Sequence, residues 1–378
     1  MKYSWIFILC FLLNLPSNIF SQDIRWYDPS DKIEDQIPIF NFSGQGWNHN
    51  ALESPFQRLP LSAKKEVRNE LWKLSRFSTG ITINFSTDAS TIYVRYKVED
   101  YIQKPHRAAT GLSGIDLYVT NQNHETPFWC KGKFQFGDTI VYTFGHLNSM
   151  NVEHVNSDYQ LYLPMSCAID WLEIGIPENA TLSGIEKDIK LPIVVYGTSI
   201  VQGSAASRPG MAWTSILQRN LDREIINLGF AGNGRMEPEI IKYIADIKAS
   251  IYVIDCLPNL IGVPNQELAQ KMEMAAKMLK KVHPKTPILF VQHPGFPQEL
   301  VNKSSLEKVK SINDLLEINY LSLRKIYSEG IYLLSKNEID MCMDCTVEGT
   351  HPTDLGMNIY AEAYSRKIRE IFDFNQKD

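Results

Sequence analysis

Four short stretches of the chain carry residue types that could act together on an acyl group. Tyr196-Gly-Thr-Ser199-Ile200 follows an apolar run, and Gly197 permits a tight turn there. The Ser199 hydroxyl would then project from the end of the run, with its backbone N–H near a helix start. Asn227-Leu-Gly229-Phe-Ala-Gly232-Asn-Gly234 places three glycines within six residues, which brings backbone close either to a ligand or to a packed turn. Asp255-Cys-Leu-Pro258-Asn259 ends in a side-chain amide able to face a developing oxyanion, although asparagine is also a common turn residue. Glu348-Gly-Thr-His351 sets a carboxylate three residues before an imidazole, a spacing at which it can orient a general base through the other ring nitrogen. Hydroxyl, base, carboxylate and oxyanion donor are the parts of nucleophilic acyl transfer.

Each part has an ordinary alternative. Ser199 could cap a helix, or the turn could cradle a phosphate, but the spaced glycines of a dinucleotide site and the lysine of a P-loop are both missing. Asp344 and Asp354 rival Glu348 for His351, and a serine–histidine pair with no carboxylate is a third arrangement. Asp354 is expected to cap the terminal helix instead, and Asp344 would need its loop to fold over. His293 follows an apolar run and reads as structural. His106, His146 and His154 lack metal-ligand spacing, and His49 sits beside Trp47 in a polar loop.

The elements that must position these residues fall into two halves. From Gln22 to about Lys190, stretches such as Thr91-Ile-Tyr-Val-Arg-Tyr-Lys-Val alternate apolar and polar residues between turn residues, which predicts an antiparallel β-sandwich. Val67, Leu71 and Leu74 recur at helical spacing and predict one helix within it, over Ser62–Ser75. From Leu191 onward, near-continuous apolar runs alternate with helix-compatible stretches. They predict about five parallel strands in a doubly wound α/β domain. All four chemical stretches follow such runs, and ligands in these sheets sit at the carboxyl ends of the strands. The boundary is expected near residue 190, giving parts 22–190 and 191–378 behind a leader, 1–21.

That leader has Lys2, an apolar stretch from Trp5 to Leu15 and a polar end at Ser21, the pattern of a secretory signal peptide. It is shorter than the ~20 residues a spanning helix needs, so export to a periplasm or the exterior, with no membrane span, is expected. The 38 basic and 43 acidic residues give a net charge of −5, with no basic run to hold nucleic acid. Five of the 6 cysteines lie beyond the leader, an odd number and no disulfide framework. Cys342-x-x-Cys345 has no further ligands for zinc, and reads as a local disulfide or two inert thiols.

The second half resembles the SGNH/GDSL hydrolases, whose serine, glycine, asparagine and histidine lie in four sequence blocks. Gly197-Thr198-Ser199-Ile200 matches the first block with threonine in place of the usual aspartate. Gly229 matches the second, Asn259 the third, and Glu348-x-x-His351 the last, where Asp-x-x-His is usual. Gly114-Ile-Asp-Leu-Tyr118 is similar to the Gly-x-Asp-Leu-Tyr motif of one branch, and it reads as a domain-packing signature. The resemblance implies a jelly-roll-like sandwich before a flavodoxin-like three-layer domain. It also implies Ser199 as nucleophile, His351 as base and Glu348 as its orienter. The oxyanion hole would be made of the Ser199 and Gly229 N–H groups with Asn259, and no cofactor or metal is implied. A two-part exported member is similar to carbohydrate deacetylases, so the expected substrate is a short-chain, O-acetyl ester on a small molecule or polysaccharide. A lipid-directed acylhydrolase and an inert carbohydrate-binding surface protein are the alternatives.

Overall fold

The alternating stretches of the first half pair into two antiparallel sheets. In the computed structural model, which describes residues 23–31, 39–99, 104–120, 126–147, 156–185 and 190–375, the first sheet runs Ile24–Tyr27, Ile169–Pro177, Thr91–Val98, Ile140–Gly145, Gly132–Gln135. The second runs Leu182–Ser183, Thr82–Thr87, Ser157–Tyr162, Asp116–Thr120, Phe128–Cys130, with Asn41–Ser43 also on Thr82–Thr87. Setting aside the short pieces Asn41–Ser43, Gly132–Gln135 and Leu182–Ser183 leaves eight strands, ordered 1-8-3-6 in one sheet and 2-7-4-5 in the other. That order is a jelly roll. Alternation explains the packing: Ile92, Val94 and Tyr96 of one sheet and Ile83, Phe85 and Leu161 of the other are wholly buried in a single core. The leader and His154 lie outside the described residues.

The five apolar runs of the second half form a parallel sheet in the order Ile225–Gly229, Ile193–Gly197, Ile251–Asp255, Ile288–Val291, Ile331–Leu334. By chain position this is 2-1-3-4-5, the flavodoxin-like order, with its switch point beside the first strand. Alternate residues of each strand feed different faces. Ile193, Val195 and Val253 meet helices Trp213–Leu221 and Asp354–Asn375 through Trp213, Tyr360 and Tyr364. Val194, Tyr196 and Ile254 meet helices Pro238–Ala245, Asn265–Val282 and Lys303–Ile326 through Ile240, Leu279 and Leu316. Among the described residues no helix is long and apolar enough to cross a membrane.

The helix expected over Ser62–Ser75 is two pieces, a 3-10 turn at Leu61–Lys65 and an α-helix at Asn69–Ser75. Its apolar face does not join the jelly-roll core: Leu59, Val67 and Leu71 pack with Ile226, Phe230 and Ile240 of the second half. Arg58 ties this segment down. Wholly buried and facing no carboxylate, it donates to the carbonyls of Phe77, Leu74, Asn227 and Gly229 at 2.6–3.2 Å. Burial lowers its pKa to about 9. The Gly114–Tyr118 motif makes the other tie: Asp116 accepts from Gly210 N–H at 2.7 Å, Arg208 at 2.9 Å and Trp129 at 3.0 Å. Tyr118 lies against Gly210 at a distance no larger residue allows, since a Cβ there would be 2.5 Å from its ring. The motif therefore packs the halves together, as read.

Candidate active site

Gly197 ends the first parallel strand because nothing larger fits. A Cβ there would stand 2.3 Å from the Asp255 carbonyl oxygen and 2.4 Å from the Val201 side chain. The chain then makes a single helical turn, with Gln202 N–H donating to Thr198 C=O at 3.0 Å and Ser204 N–H to Ser199 C=O at 2.9 Å. Trp213, fully buried, secures the turn from behind by donating its indole N–H to Ile200 C=O at 2.9 Å. Ser199 is left half-exposed at the strand's carboxyl end.

The base arrives on the loop after the fifth strand. Cys342 and Cys345 are joined by a disulfide with Cα atoms 5.2 Å apart. Thr346 pairs with Pro352, and Val347 N–H donates to His351 C=O at 2.8 Å, while Gly349 turns the chain at a φ of 86°. This small hairpin sets Glu348 beside His351: Glu348 Oε1 accepts His351 N–H at 3.1 Å and closes on Nδ1. His351 Nε2 lies 2.8 Å from Ser199 Oγ. With Nδ1–H held by the carboxylate, Nε2 carries the lone pair that faces the hydroxyl. Burial holds His351 below the ordinary imidazole range, Arg107 and His106 push the same way, and Glu348 pulls upward against them. Neutral imidazole, the form able to take a proton, is thereby favoured.

The rival carboxylates stand elsewhere. Asp344 is exposed and makes no hydrogen bond among the described residues. Asp354 does not cap its helix as expected: its carboxylate accepts from Ser207 N–H at 2.8 Å and Ser207 Oγ at 2.5 Å. Thr353 caps instead, accepting from Gly356 N–H at 3.4 Å. His293 is buried, and its Nδ1 accepts from Gly295 N–H at 2.9 Å, a structural histidine whose pKa burial lowers to about 3.

Gly229 is a correction. Its N–H is already donated, to Asn227 Oδ1 at 2.8 Å, and its missing Cβ makes room for Gln202 N, which a side chain would meet at 2.2 Å. It is a packing glycine, not an available donor. Three residues on, Gly232 is exposed, has a φ of 71° and open space where a Cβ would be, and its N–H has no partner among the described residues. The turn that carries it is fixed from three sides. Phe230 N–H donates to Gly197 C=O at 2.9 Å, Ala231 N–H to Gln202 Oε1 at 3.0 Å, and Gly234 N–H to Asn259 Oδ1 at 3.1 Å. The last bond commits the oxygen of Asn259 and leaves its Nδ2 without a protein partner among the described residues. Both glycines stood in the sequence, and only the hydrogen-bond accounting separates them.

His106 is the residue that spacing concealed. Its ring stacks at 17° to that of His351 with centroids 6.5 Å apart, although it belongs to the jelly-roll half. A cavity of about 1000 Å³ opens at the opposite ends of the parallel strands, lined by Trp26, Trp47 and Glu224, and takes no part in this constellation.

Residues 190–369 match the GDSL-like lipase/acylhydrolase family, and residues 24–182 match the N-terminus of SGNH-hydrolase-type esterases. A structure described as a GDSL-like lipase from Bacteroides ovatus is 28% identical over 93% of this chain and 98% of its own, with a TM-score of 0.82. A salicylyl-acyltransferase of a tetracycline biosynthetic pathway is 19% identical over 92% and 97%, with a TM-score of 0.70. A family two carbohydrate esterase from Cellvibrio japonicus is 11% identical over 93% and 98%, with a TM-score of 0.58. The last two share the fold. No curated protein matches the sequence.

Proposed function

The chain belongs to the GDSL-like lipase/acylhydrolase family and is an esterase, and from that premise we propose that it removes short acyl groups, O-acetyl foremost, from carbohydrate through a Ser199–His351–Glu348 acyl-enzyme mechanism. One observation carries the mechanism: Ser199 Oγ is 2.8 Å from His351 Nε2 while Glu348 occupies Nδ1. Ser199 Oγ bonds to the ester carbonyl carbon as its proton passes to Nε2. The imidazolium so formed sits beside the Glu348 carboxylate and gives its proton to the leaving alcohol oxygen as the carbon–oxygen bond breaks. Water then attacks the acyl-serine as its proton passes to Nε2, and Nε2 returns that proton to Ser199 Oγ as the acyl–oxygen bond breaks and the acid leaves.

The oxyanion of each tetrahedral intermediate would be met by the N–H groups of Ser199 and Gly232 and by Asn259 Nδ2. Loss of one such donor costs ~3 kcal/mol of transition-state stabilisation. No step calls for a metal or organic cofactor. The carbohydrate assignment is supported by a two-part architecture held in common with a family two carbohydrate esterase. Residues 1–21 acting as a signal peptide and a division near residue 190 complete the reading, with the protein exported.

The test is a series of 4-nitrophenyl esters of rising acyl length together with acetylated saccharides, each read against a Ser199→Ala blank. Release of acetate from the saccharides and a rate maximum at short acyl groups are expected. A maximum at long acyl groups transfers the assignment to a lipid-directed acylhydrolase, the direction in which the Bacteroides ovatus relative's description points.

A further inference from the structure

Among the described residues Arg107 is a charged group within electrostatic reach of the triad that no side chain pairs. It makes no ion pair and no side-chain hydrogen bond among the described residues, and its Nε is buried without a partner. A guanidinium half out of water in that state is an exposed preference for an anion, because burial without a partner disfavours the charge it cannot shed. Its place is fixed. Arg107 N–H closes a turn on Lys104 C=O at 3.1 Å, so Lys104, His106 and Arg107 occupy one turn, and His106 stacks on His351. The next residues anchor that turn to the catalytic half. Thr110 Oγ1 donates to Ser207 C=O at 2.7 Å, and Gly111 fits so tightly that a Cβ would stand 2.2 Å from Ala206 O. Ser207 is itself held by Asp354 at the start of the helix that follows His351.

Among the described residues no carboxylate pairs with this turn. Glu348 acts electrostatically on Arg107 across the site but forms no ion pair with it, and its Oε1 is committed to His351. Lys104 acts on Arg107 as a second cation of the same turn, and Arg107 in turn acts on His351 and Glu348. An arginine fork reads a carboxylate through two parallel hydrogen bonds, and a lysine adds point charge beside it.

We propose that Arg107, with Lys104 beside it, receives a carboxylate carried by the ester substrate, so that the preferred substrates are acidic. The carboxylate can belong to the alcohol part, as in an acetylated uronic acid, or to the acyl part, as in a succinyl half-ester. The inference rests on the esterase reading above and narrows its substrate class.

The experiment compares the full mature chain on two matched pairs. One pair is O-acetyl galacturonic acid against O-acetyl galactose, and the other is mono-4-nitrophenyl succinate against 4-nitrophenyl butyrate. In one pair kcat/KM favours the acidic member by about tenfold, the effect of one charge-assisted hydrogen bond of roughly 1.4 kcal/mol. In Arg107→Gln that ratio falls towards one through a rise in KM for the acidic ester, Arg107→Lys keeps part of it, and added salt erodes it. Lys104→Gln, at an exposed position that folding tolerates, lowers the ratio by a smaller factor. Parity within both pairs in the wild type overturns the proposal. So does an equal loss on both members in Arg107→Gln with a shifted acid limb of the pH profile, which would mark a role through Glu348 and His351. Absence of turnover on every ester, 4-nitrophenyl butyrate included, overturns instead the esterase mechanism on which the proposal rests.

Discussion

Asp255, at the end of the third parallel strand, is a buried carboxylate whose only side-chain hydrogen-bond donor among the described residues is Tyr364 Oη at 2.7 Å. Burial raises its pKa from 3.8 to about 7, and the tyrosine bond offsets only part of that. The sign follows from linkage. Because the folded-state pKa lies above the unfolded value, the native state binds the extra proton, and stability is fully present below about 3.8 and is lost as pH rises towards 7. A difference of 3.2 units at 1.36 kcal/mol each makes the ionised carboxylate cost about 4 kcal/mol above pH 7. Asp255→Asn keeps an acceptor for Tyr364 and removes the titration. Its stability should match that of the wild type near pH 4 and exceed it progressively up to pH 8. Urea unfolding at a series of pH values, followed through tryptophan fluorescence, reads this; Trp213, one of the 7 tryptophans, packs on Tyr364 with ring centroids 4.2 Å apart. An advantage of Asp255→Asn that does not vary between pH 4 and pH 8, or a less stable variant at pH 8, would refute the reasoning.

Glu348→Gln should lower kcat on 4-nitrophenyl acetate by roughly 10²- to 10⁴-fold, since the amide can hold the ring but not stabilise the imidazolium. The acid limb of kcat/KM in the wild type should fall below the ordinary imidazole value of 6.5, and in Glu348→Gln it should move lower still, because Glu348 is the group pulling His351 upward. A limb that rises in the variant contradicts that balance. Gly229→Ala should fail to accumulate as folded protein, its methyl colliding with Gln202, whereas Gly232→Ala should fold at a cost of about 1 kcal/mol for its left-handed backbone; thermal melts distinguish the two. Arg58→Met strands four buried carbonyls and should cost about 3–5 kcal/mol, read as a lowered unfolding midpoint.

Periodicity made most of the architecture legible. The apolar runs expected from Leu191 onward are the five parallel strands, Ile251–Asp255 among them, and the helix-compatible stretches between them hold helices such as Asn265–Val282. Parallel strands buried on both faces leave long apolar runs that few other elements imitate. That Ser199 meets Glu348 and His351 follows from the chain order, because the serine comes after the first strand and the other two after the fifth in a fold whose strand ends converge.

What stayed hidden depends on partners distant in sequence. The Ser62–Ser75 stretch has a helical period, but nothing in it says that the apolar side faces Ile226 and Phe230 rather than the sandwich around it. Gly229 and Gly232 look alike until the Asn227 side chain is seen to take the Gly229 N–H. Asp354 sits where a cap belongs, and only the approach of Ser207 diverts it. His106 and Arg107 lie in a turn of the jelly-roll half with no spacing signal at all. The docking of Thr110 and Gly111 on Ala206–Ser207 is what carries them to His351.

The central claim is that Ser199 is a nucleophile activated by His351, and the most direct measurement is the burst of 4-nitrophenol from 4-nitrophenyl acetate mixed with the chain lacking residues 1–21, with mass spectrometry of the quenched protein. The account predicts an acetyl group on the peptide containing Ser199, and its absence together with turnover in Ser199→Ala. Undiminished turnover in that variant, or acetylation at another residue that accompanies catalysis, would contradict it.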